Sequence, residues 1–204
     1  MKFFSPITIL VTFFWVGKIP LIRGTLGSLA GLALISLIFN LPKDLGFNPN
    51  WLFLIYPISL YLLYSVGVSY SDIYAFRVRK KDPQEVVIDE VVGMMFAIYL
   101  FALFYATLVF FDKEYFETLM VLLQWYVILL FILFRIFDIF KPWRVAKAEE
   151  IRHKGRSIML DDIWAGFYAA MFAIFIFIIF YILGIWESIL IHYYPNYSAK
   201  LVGA

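Results

Sequence analysis

The chain lacks most of the reactive side chains on which soluble enzymes rely. It contains no cysteine, which excludes disulfides, thiolate nucleophiles and thiolate metal sites. His153 and His192 are its only histidines, so a catalytic pair built on imidazole is poorly supported. It also has no Walker loop, no HExxH helix and no GxSxG nucleophile elbow. The candidates for chemistry are therefore carboxylates, lysines, arginines and hydroxyls.

Charge is scarce as well. Charged residues make up only 16% of the chain and apolar residues 64%, whereas soluble domains average about half apolar and about a quarter charged. The net charge of +2 is too small to indicate a nucleic-acid partner. A soluble fold of this composition would expose large apolar patches, so we expect an integral membrane protein whose solvent is the lipid bilayer.

The intervals without a charged residue predict five membrane crossings. They run for 17 to 27 residues, and a helix needs about 20 to cross the hydrocarbon. Shorter apolar stretches at both ends are typical of re-entrant or interfacial helices. Since no internal repeat is visible, residues 1–204 are predicted to form one all-α membrane domain, a bundle of about five transmembrane helices with short re-entrant or interfacial N- and C-terminal helices. The predicted spans are 24–41, 51–71, 88–111, 118–140 and 161–186, and the short stretches are 3–17 and 188–199.

Lysine and arginine lie mostly on one side of this predicted bundle. Fourteen of the 17 fall in the N-terminal segment, in the loops 72–87 and 141–160, or at the adjoining end of span four. The opposite side holds Lys43, Lys113 and Lys200. Because cytoplasmic loops carry the excess of basic residues, we expect the first group to face the cytoplasm. The starts of spans one, three and five and the end of span four then share that side.

Five carboxylates occur at these cytoplasmic span ends. Asp89 and Glu90 open span three, Asp138 closes span four, and Asp161 and Asp162 open span five. Taken singly, each cluster could be structural, because acids stabilise helix N-termini and an aspartate can cap one. Burying a carboxylate in or beside hydrocarbon costs at least about 2–3 kcal/mol, however. Their co-location favours a site for a divalent cation such as Mg²⁺, which prefers hard oxygen ligands.

Cations and a glycine-rich helix start accompany the carboxylates. Arg135 and Lys141 lie three residues to either side of an aspartate, on one side of a helix, and could also form an ordinary salt-bridged helix end. The GTLGS segment at 24–28 opens span one, where free backbone N–H groups and two hydroxyls could hold a phosphate. Gly27 and Gly31 could equally form a GxxxG packing pair. Beside a cation, these groups suit phosphoryl chemistry on a lipid headgroup.

Four motifs carry a family resemblance. They are GTLGS at 24–28, DEVVG at 89–93, FRIFDIFKPW at 134–143 and SIMLDDIWAG at 157–166. In their order and spacing, over about residues 17–185, the sequence resembles the bacterial phosphatidylglycerophosphatase A family. The resemblance implies a Mg²⁺-dependent membrane phosphatase that converts phosphatidylglycerophosphate to phosphatidylglycerol and phosphate. It also implies the cytoplasmic (inner) membrane of a bacterium, with the active site facing the cytoplasm.

The resemblance and the residue argument together give a set of expected site residues. The expected catalytic acids and metal ligands are Asp89, Glu90, Asp138, Asp161 and Asp162. The expected phosphate-binding residues are Gly24, Thr25, Ser28, Arg135 and Lys141. The chain departs from the family pattern at Arg23 and Arg144, where prolines are common, and at Ser157, where glycine is expected. Added cations at the phosphate entrance are expected to alter affinity, and Ser157 to alter the flexibility of its segment.

Three other readings of the sequence stay open. A phosphatase or phosphotransferase acting on another lipid phosphate would need the same groups. An ion-coupled transporter would place charges near the bilayer midplane and show inverted repeats. A non-catalytic membrane scaffold would have neither activity. The sequence does not indicate an oligomeric state.

Overall fold

Helices account for all the regular secondary structure of the described chain. The computed structural model describes residues 5–46, 52–111, 123–142, 154–186 and 188, and no strand occurs among them. Five long helices are each apolar enough to cross a membrane, which confirms the predicted all-α bundle. They are α2 (Arg23–Asp44), α3 (Leu52–Val78), α4 (Ile88–Phe111), α5 (Leu123–Phe140) and α6 (Lys154–Ile182). A short helix, α1 (Pro6–Val11), and a 3-10 turn (Val16–Lys18) precede them.

The helix described in the N-terminal stretch is too short to cross a membrane. Helix α1 has six residues, which rise only about 9 Å. It packs against α3, and its Val11 carbonyl accepts a hydrogen bond from the backbone N–H of Val87 at 2.9 Å. The segment is therefore fastened beside the start of α4, as a short re-entrant or interfacial helix would be. The C-terminal counterpart predicted at 188–199 lies outside the described residues, apart from Ser188.

Two helices extend beyond their predicted spans at the end where the polar clusters lie. Helix α3 continues past 71 to Val78, and α6 begins at Lys154 rather than at 161. The length of an uncharged interval reflects the thickness of the hydrocarbon layer. A helix can nevertheless continue into the headgroup region, because its backbone hydrogen bonds still form there. The 29 residues of α6 extend about 43 Å, so its first turns protrude. The predicted opening of span five is therefore in fact the third turn of α6.

The other end of α6 also differs from the prediction. The helix stops at Ile182 instead of 186, because Gly184 adopts a left-handed φ of 65°, a conformation that commonly terminates helices. The predicted start of span four, at 118, lies outside the described residues, and α5 is described from Leu123 onward.

Helix α4 lies at the centre of the bundle and packs against α2, α3, α5 and α6. Small side chains permit these close approaches, which in lipid depend on packing rather than on the hydrophobic effect. One apolar core joins α4, α5 and α6, and a second joins α1, α2, α3, α4 and α6. The buried alanines of α6 in the first core are Ala165, Ala169, Ala170 and Ala173. This packing fixes the start of α4 against the third turn of α6.

Candidate active site

The predicted polar clusters meet at one end of the bundle. Helices α2 and α4 begin there, α5 ends there, and the third turn of α6 passes beside them. Asp89 and Glu90 occupy the first turn of α4, as acids at a helix N-terminus should. Asp161 and Asp162 are almost completely buried, at 8% and 3% exposure. Such burial exceeds what a capping role requires, so the convergence itself points to a site.

Three of the carboxylates form an acidic triad, Asp89, Glu90 and Asp162. Each contributes an oxygen, and these oxygens all lie within 4.8 Å of one another. Asp138 and Asp161 are near neighbours of this group, since Asp138 interacts electrostatically with both Glu90 and Asp162. All five predicted acids are therefore together, with three of them placed to share one ion.

Two glycines allow the triad to form across separate helices. A Cβ on Gly166 of α6 would lie 2.5 Å from the Gly93 carbonyl oxygen of α4, and one on Gly93 would lie 2.7 Å from the Asp162 carbonyl oxygen. Any side chain at either position would push the two helices apart. The glycine four residues after Asp162 therefore permits a close helix approach.

The triad has unsatisfied oxygens. Among the described residues, neither Asp89 Oδ1 nor Glu90 Oε2 has a hydrogen-bond partner, although both atoms are buried. A buried polar atom without a partner is unfavourable, and adjacent negative charges add repulsion. A divalent cation would give the unpartnered oxygens a partner and would offset the repulsion between the carboxylates. Carboxylate oxygens are the ligands that hard cations prefer. The residues present thus fit a divalent metal ion.

Arg135 connects the triad to the start of α2. Its Nη1 donates to Asp138 Oδ2 at 2.6 Å, and its guanidinium lies against Gly24 together with Glu90. Within α2, the first N–H groups have no acceptor one turn earlier; the first such bond is donated by Leu26 to the Ile22 carbonyl. A fixed guanidinium and free backbone N–H groups therefore stand side by side, which is a favourable arrangement for binding phosphate.

Lys141 supplies the second cation. Its Nζ donates to Asp161 Oδ2 at 3.1 Å, bridging the end of α5 to α6. To do so the chain turns sharply, with Lys141 at a left-handed φ of 44° and its N–H bonded to the Phe137 carbonyl at 2.9 Å. The end of α5 is therefore salt-bridged, as the structural alternative predicts, but Arg135 and Lys141 pair with Asp138 and Asp161, which are acids of the site.

The two hydroxyls predicted to bind phosphate differ in their surroundings. Thr25 is half-buried in the first turn of α2. Ser28 is completely buried, and its Oγ donates to the Gly24 carbonyl at 2.9 Å. The GxxxG alternative also applies, because a Cβ on Gly27 would contact Val87 and Glu90, and one on Gly31 would contact Val91. Helix α2 thus packs along α4 through Gly27 and Gly31 and presents its first turn to the site.

One site residue is absent from the sequence-based set. Asp82, in the loop before α4, interacts electrostatically with both Asp89 and Asp161. Its position seven residues before a predicted acid was the available signal, but the Lys-Lys-Asp-Pro run resembles an ordinary solvated turn. Loop geometry brings it to the site, and no helical periodicity could indicate that.

The chain is similar to one protein family and to known bacterial proteins. The family model for Phosphatidylglycerophosphatase A matches residues 9–177. The Phosphatidylglycerophosphatase A of Escherichia coli strain K12 is 30% identical over 180 residues, covering 86% of each chain. A "Putative phosphatidylinositol-3-phosphatase" of Bacteroides thetaiotaomicron is 37% identical over 89 residues, which cover 44% of this chain and 45% of that protein. No solved structure matches the chain significantly.

Proposed function

Because the chain belongs to the phosphatidylglycerophosphatase A family, whose members are phosphoric monoester hydrolases, we propose that it hydrolyses phosphatidylglycerophosphate to phosphatidylglycerol and inorganic phosphate with Mg²⁺ as its cofactor. The acidic triad beside Arg135 and the start of α2 carries this proposal. It combines hard oxygen ligands for a cation with donors for a phosphate. These are the two requirements of metal-assisted phosphate hydrolysis.

The proposed roles follow from position. Asp89, Glu90 and Asp162 would hold the metal ion, which when bound would polarise a phosphoryl oxygen and offset the charge of the monoester. Arg135 and the free N–H groups of Gly24 and its neighbours bind the remaining phosphoryl oxygens. Thr25 and Lys141 border this position, and Ser28 holds the α2 backbone in place through its bond to the Gly24 carbonyl.

Hydrolysis requires a proton acceptor as well as a phosphate cradle. A water oxygen bonds to phosphorus, the ester bond between phosphorus and the headgroup oxygen breaks, and that oxygen leaves with a proton. Asp138 and Asp161 lie beside the triad, each paired with a cation, and are the candidates to accept the proton of the attacking water. Asp138 and Asp161 are also among the metal ligands predicted from the sequence.

The proposed location follows from charge and from the placement of the site. We propose that the protein spans the cytoplasmic membrane of a bacterium, with the site facing the cytoplasm. In support, fourteen of 17 basic residues belong to the segments predicted to lie on the same side as the polar helix ends. Phosphatidylglycerophosphate would reach the site at headgroup depth without leaving the bilayer.

The one-ended placement of the acids also bears on the rival readings. A transporter would need ionisable groups near the middle of the bilayer, whereas the five acids gather at one end of the described bundle. A phosphatase for another lipid phosphate would use the same groups, and one relative is named for a phosphoinositide. Substrate choice is therefore the point that experiment must decide.

The test is phosphate release by the purified full-length protein in mixed micelles. The substrates are phosphatidylglycerophosphate, phosphatidic acid and phosphatidylinositol 3-phosphate, each with Mg²⁺ and with excess chelator. We expect the highest kcat/KM for phosphatidylglycerophosphate, and no turnover in chelator. Full activity in chelator would overturn the metal assignment, and preference for another lipid would overturn the substrate assignment.

A further inference from the structure

We propose that a cleft next to the acidic triad is a headgroup subsite, which recognises the hydroxyl of a glycerol headgroup and selects glycerol phosphate over a bare lipid phosphate. This headgroup cleft has a volume of ≈ 210 Å³ and is lined by Lys81, Asp82, Ser157, Ile158 and Asp161. The proposal rests on the proposed function, because it specifies what lies beyond the phosphate that the triad would bind.

The cleft borders the site through a shared residue. Asp161 lines it and at the same time accepts the hydrogen bond of Lys141. Asp82 also lines the cleft and interacts electrostatically with Asp161 and with Asp89 of the triad. A lipid with its terminal phosphate at the triad would therefore place the next few atoms of its headgroup in this cleft.

Its size suits a small polar group. Pockets for drug-sized ligands begin at about 300 Å³, and a water molecule occupies about 30 Å³ of liquid. The cleft thus has room for several water molecules or for a three-carbon headgroup. An acyl chain would not fit there, and four of the five lining residues carry a polar or charged side chain.

The lining is chemically matched to a hydroxyl. An ionised aspartate only accepts hydrogen bonds, a serine hydroxyl both donates and accepts, and a lysine only donates. Between Asp82 and Ser157, a headgroup hydroxyl can therefore donate and accept simultaneously. Lys81 is the cation of the lining and is placed to attract the phosphodiester that follows. Phosphatidic acid has no headgroup hydroxyl and would gain nothing from these groups.

Ser157 makes this subsite a property of the present chain. It is buried, at 5% exposure, and precedes Asp161 by one helical turn, on the same face of α6. Glycine is the residue expected here from the family pattern, and a glycine would contribute no hydroxyl. Selectivity arising from Ser157 would therefore be absent from relatives that carry glycine.

The test compares substrates across variants. Asp82→Ala and Ser157→Ala are assayed with phosphatidylglycerophosphate, with its analogue lacking the headgroup hydroxyl, and with phosphatidic acid. Lys80→Ala, an exposed change in the same loop outside the cleft, and Asp44→Ala, an exposed acid at the far end of α2, are the matched controls. Thermal unfolding in detergent establishes that each variant is folded.

Wild type should prefer phosphatidylglycerophosphate to the deoxy analogue by about tenfold or more, since a site built around a hydroxyl rejects a ligand lacking it. Asp82→Ala should remove most of that preference, lowering kcat/KM for phosphatidylglycerophosphate much more than for the deoxy analogue or phosphatidic acid. Ser157→Ala should reduce the preference in part. The controls should behave as wild type.

An unchanged preference in both cleft variants overturns the subsite. So does an equal loss on all three substrates, because Asp82 would then act only through the charge of the triad. If the wild-type protein releases phosphate from none of the three substrates, the proposed function is overturned instead. The two failures are thereby distinguished.

Discussion

Gly24 and Arg135 are in direct contact across the boundary between α2 and α5. A Cβ added at Gly24 would lie 2.8 Å from both Nη atoms of Arg135, and 2.8 Å from Glu90 Oε1. Real Cβ atoms essentially never approach that closely. The obstructing atoms are the ends of flexible side chains rather than backbone, so the fold could accommodate a methyl group by moving them. The groups that would move are those expected to bind phosphate and metal.

Gly24→Ala should therefore inactivate the enzyme without unfolding it. A displacement of about 1 Å in a positioning group can lower the rate about 100-fold, so we expect a loss of this order in kcat/KM. Gly31→Ala is the matched control, because its Cβ would meet the Val91 carbonyl at 2.9 Å, which is backbone. It should lower stability by about 1–3 kcal/mol while the folded fraction stays active.

Phosphate release and thermal unfolding in detergent, measured on both variants, check this contrast. Equal loss of stability in the two variants would contradict the claim that residue 24 acts on the site and residue 31 on helix packing.

The sequence predicts the middle of each helix better than its ends. Charge-free intervals locate the five crossings because lipid tolerates few charges. They do not predict that α3 ends at Val78 or that α6 begins at Lys154, because these helices continue outside the hydrocarbon, where charge is permitted. The predicted end of span five, at 186, is wrong because the left-handed turn at Gly184 ends α6 earlier, and hydropathy does not indicate such a turn.

The site follows a similar division. Orientation and motif order were enough to predict that the acids converge, because helix ends on one membrane side must lie at one depth. Which acids lie close enough to share an ion could not be predicted. That depends on how α4 and α6 are rotated against each other, and contacts at Gly93 and Gly166 determine the rotation. Asp82 was missed because loop geometry alone brings it near Asp161.

Removing metal should destabilise the wild-type protein. A ligand present at about 100 times its Kd stabilises the folded state by about 2.7 kcal/mol, so saturating Mg²⁺ should raise the unfolding temperature and chelator should reverse the increase. Asp162→Asn removes one charge from the triad and should abolish this shift together with turnover. Asp44→Asn, an exposed change outside the site, should retain both.

Thermal unfolding with Mg²⁺ and with chelator, combined with calorimetric titration of Mg²⁺, gives the readout without relying on activity. Undiminished Mg²⁺ binding by Asp162→Asn would show that the ion is held elsewhere.

Lys141 combines an ion pair to Asp161 with a left-handed backbone conformation. A left-handed residue with a side chain is disfavoured by about 1–2 kcal/mol, and glycine avoids this penalty. Lys141→Gly and Lys141→Ala both lose the cation that binds Asp161, so both should have greatly reduced kcat/KM. Lys141→Gly should nevertheless be more stable than Lys141→Ala by about 1 kcal/mol. Parallel denaturation and kinetic assays check the pair, and equal stabilities would contradict the strain at residue 141.

Asp72 should hold the first turns of α6 in place, and with them the two aspartates of its third turn. Its Oδ1 accepts a hydrogen bond from the backbone N–H of Gly155 at 3.4 Å, so a side chain of α3 occupies the position of an N-terminal cap for α6. Loss of a cap costs about 0.5–2 kcal/mol. The contact is close because Gly155 has no side chain, and a Cβ there would collide with the Val68 carbonyl.

Asp72→Ala should therefore increase amide hydrogen exchange in residues 154–160. It should also lower kcat several-fold, because these first two turns of α6 position Asp161. Asp72→Asn keeps an acceptor oxygen and should restore both measurements, whereas Ser69→Ala, on an exposed position of the same helix, should change neither. Exchange measured by mass spectrometry separates this positioning role from a general loss of stability, which would raise exchange throughout α3 and α6. Normal exchange at the start of α6 in Asp72→Ala would show that packing, and not this carboxylate, fixes the helix.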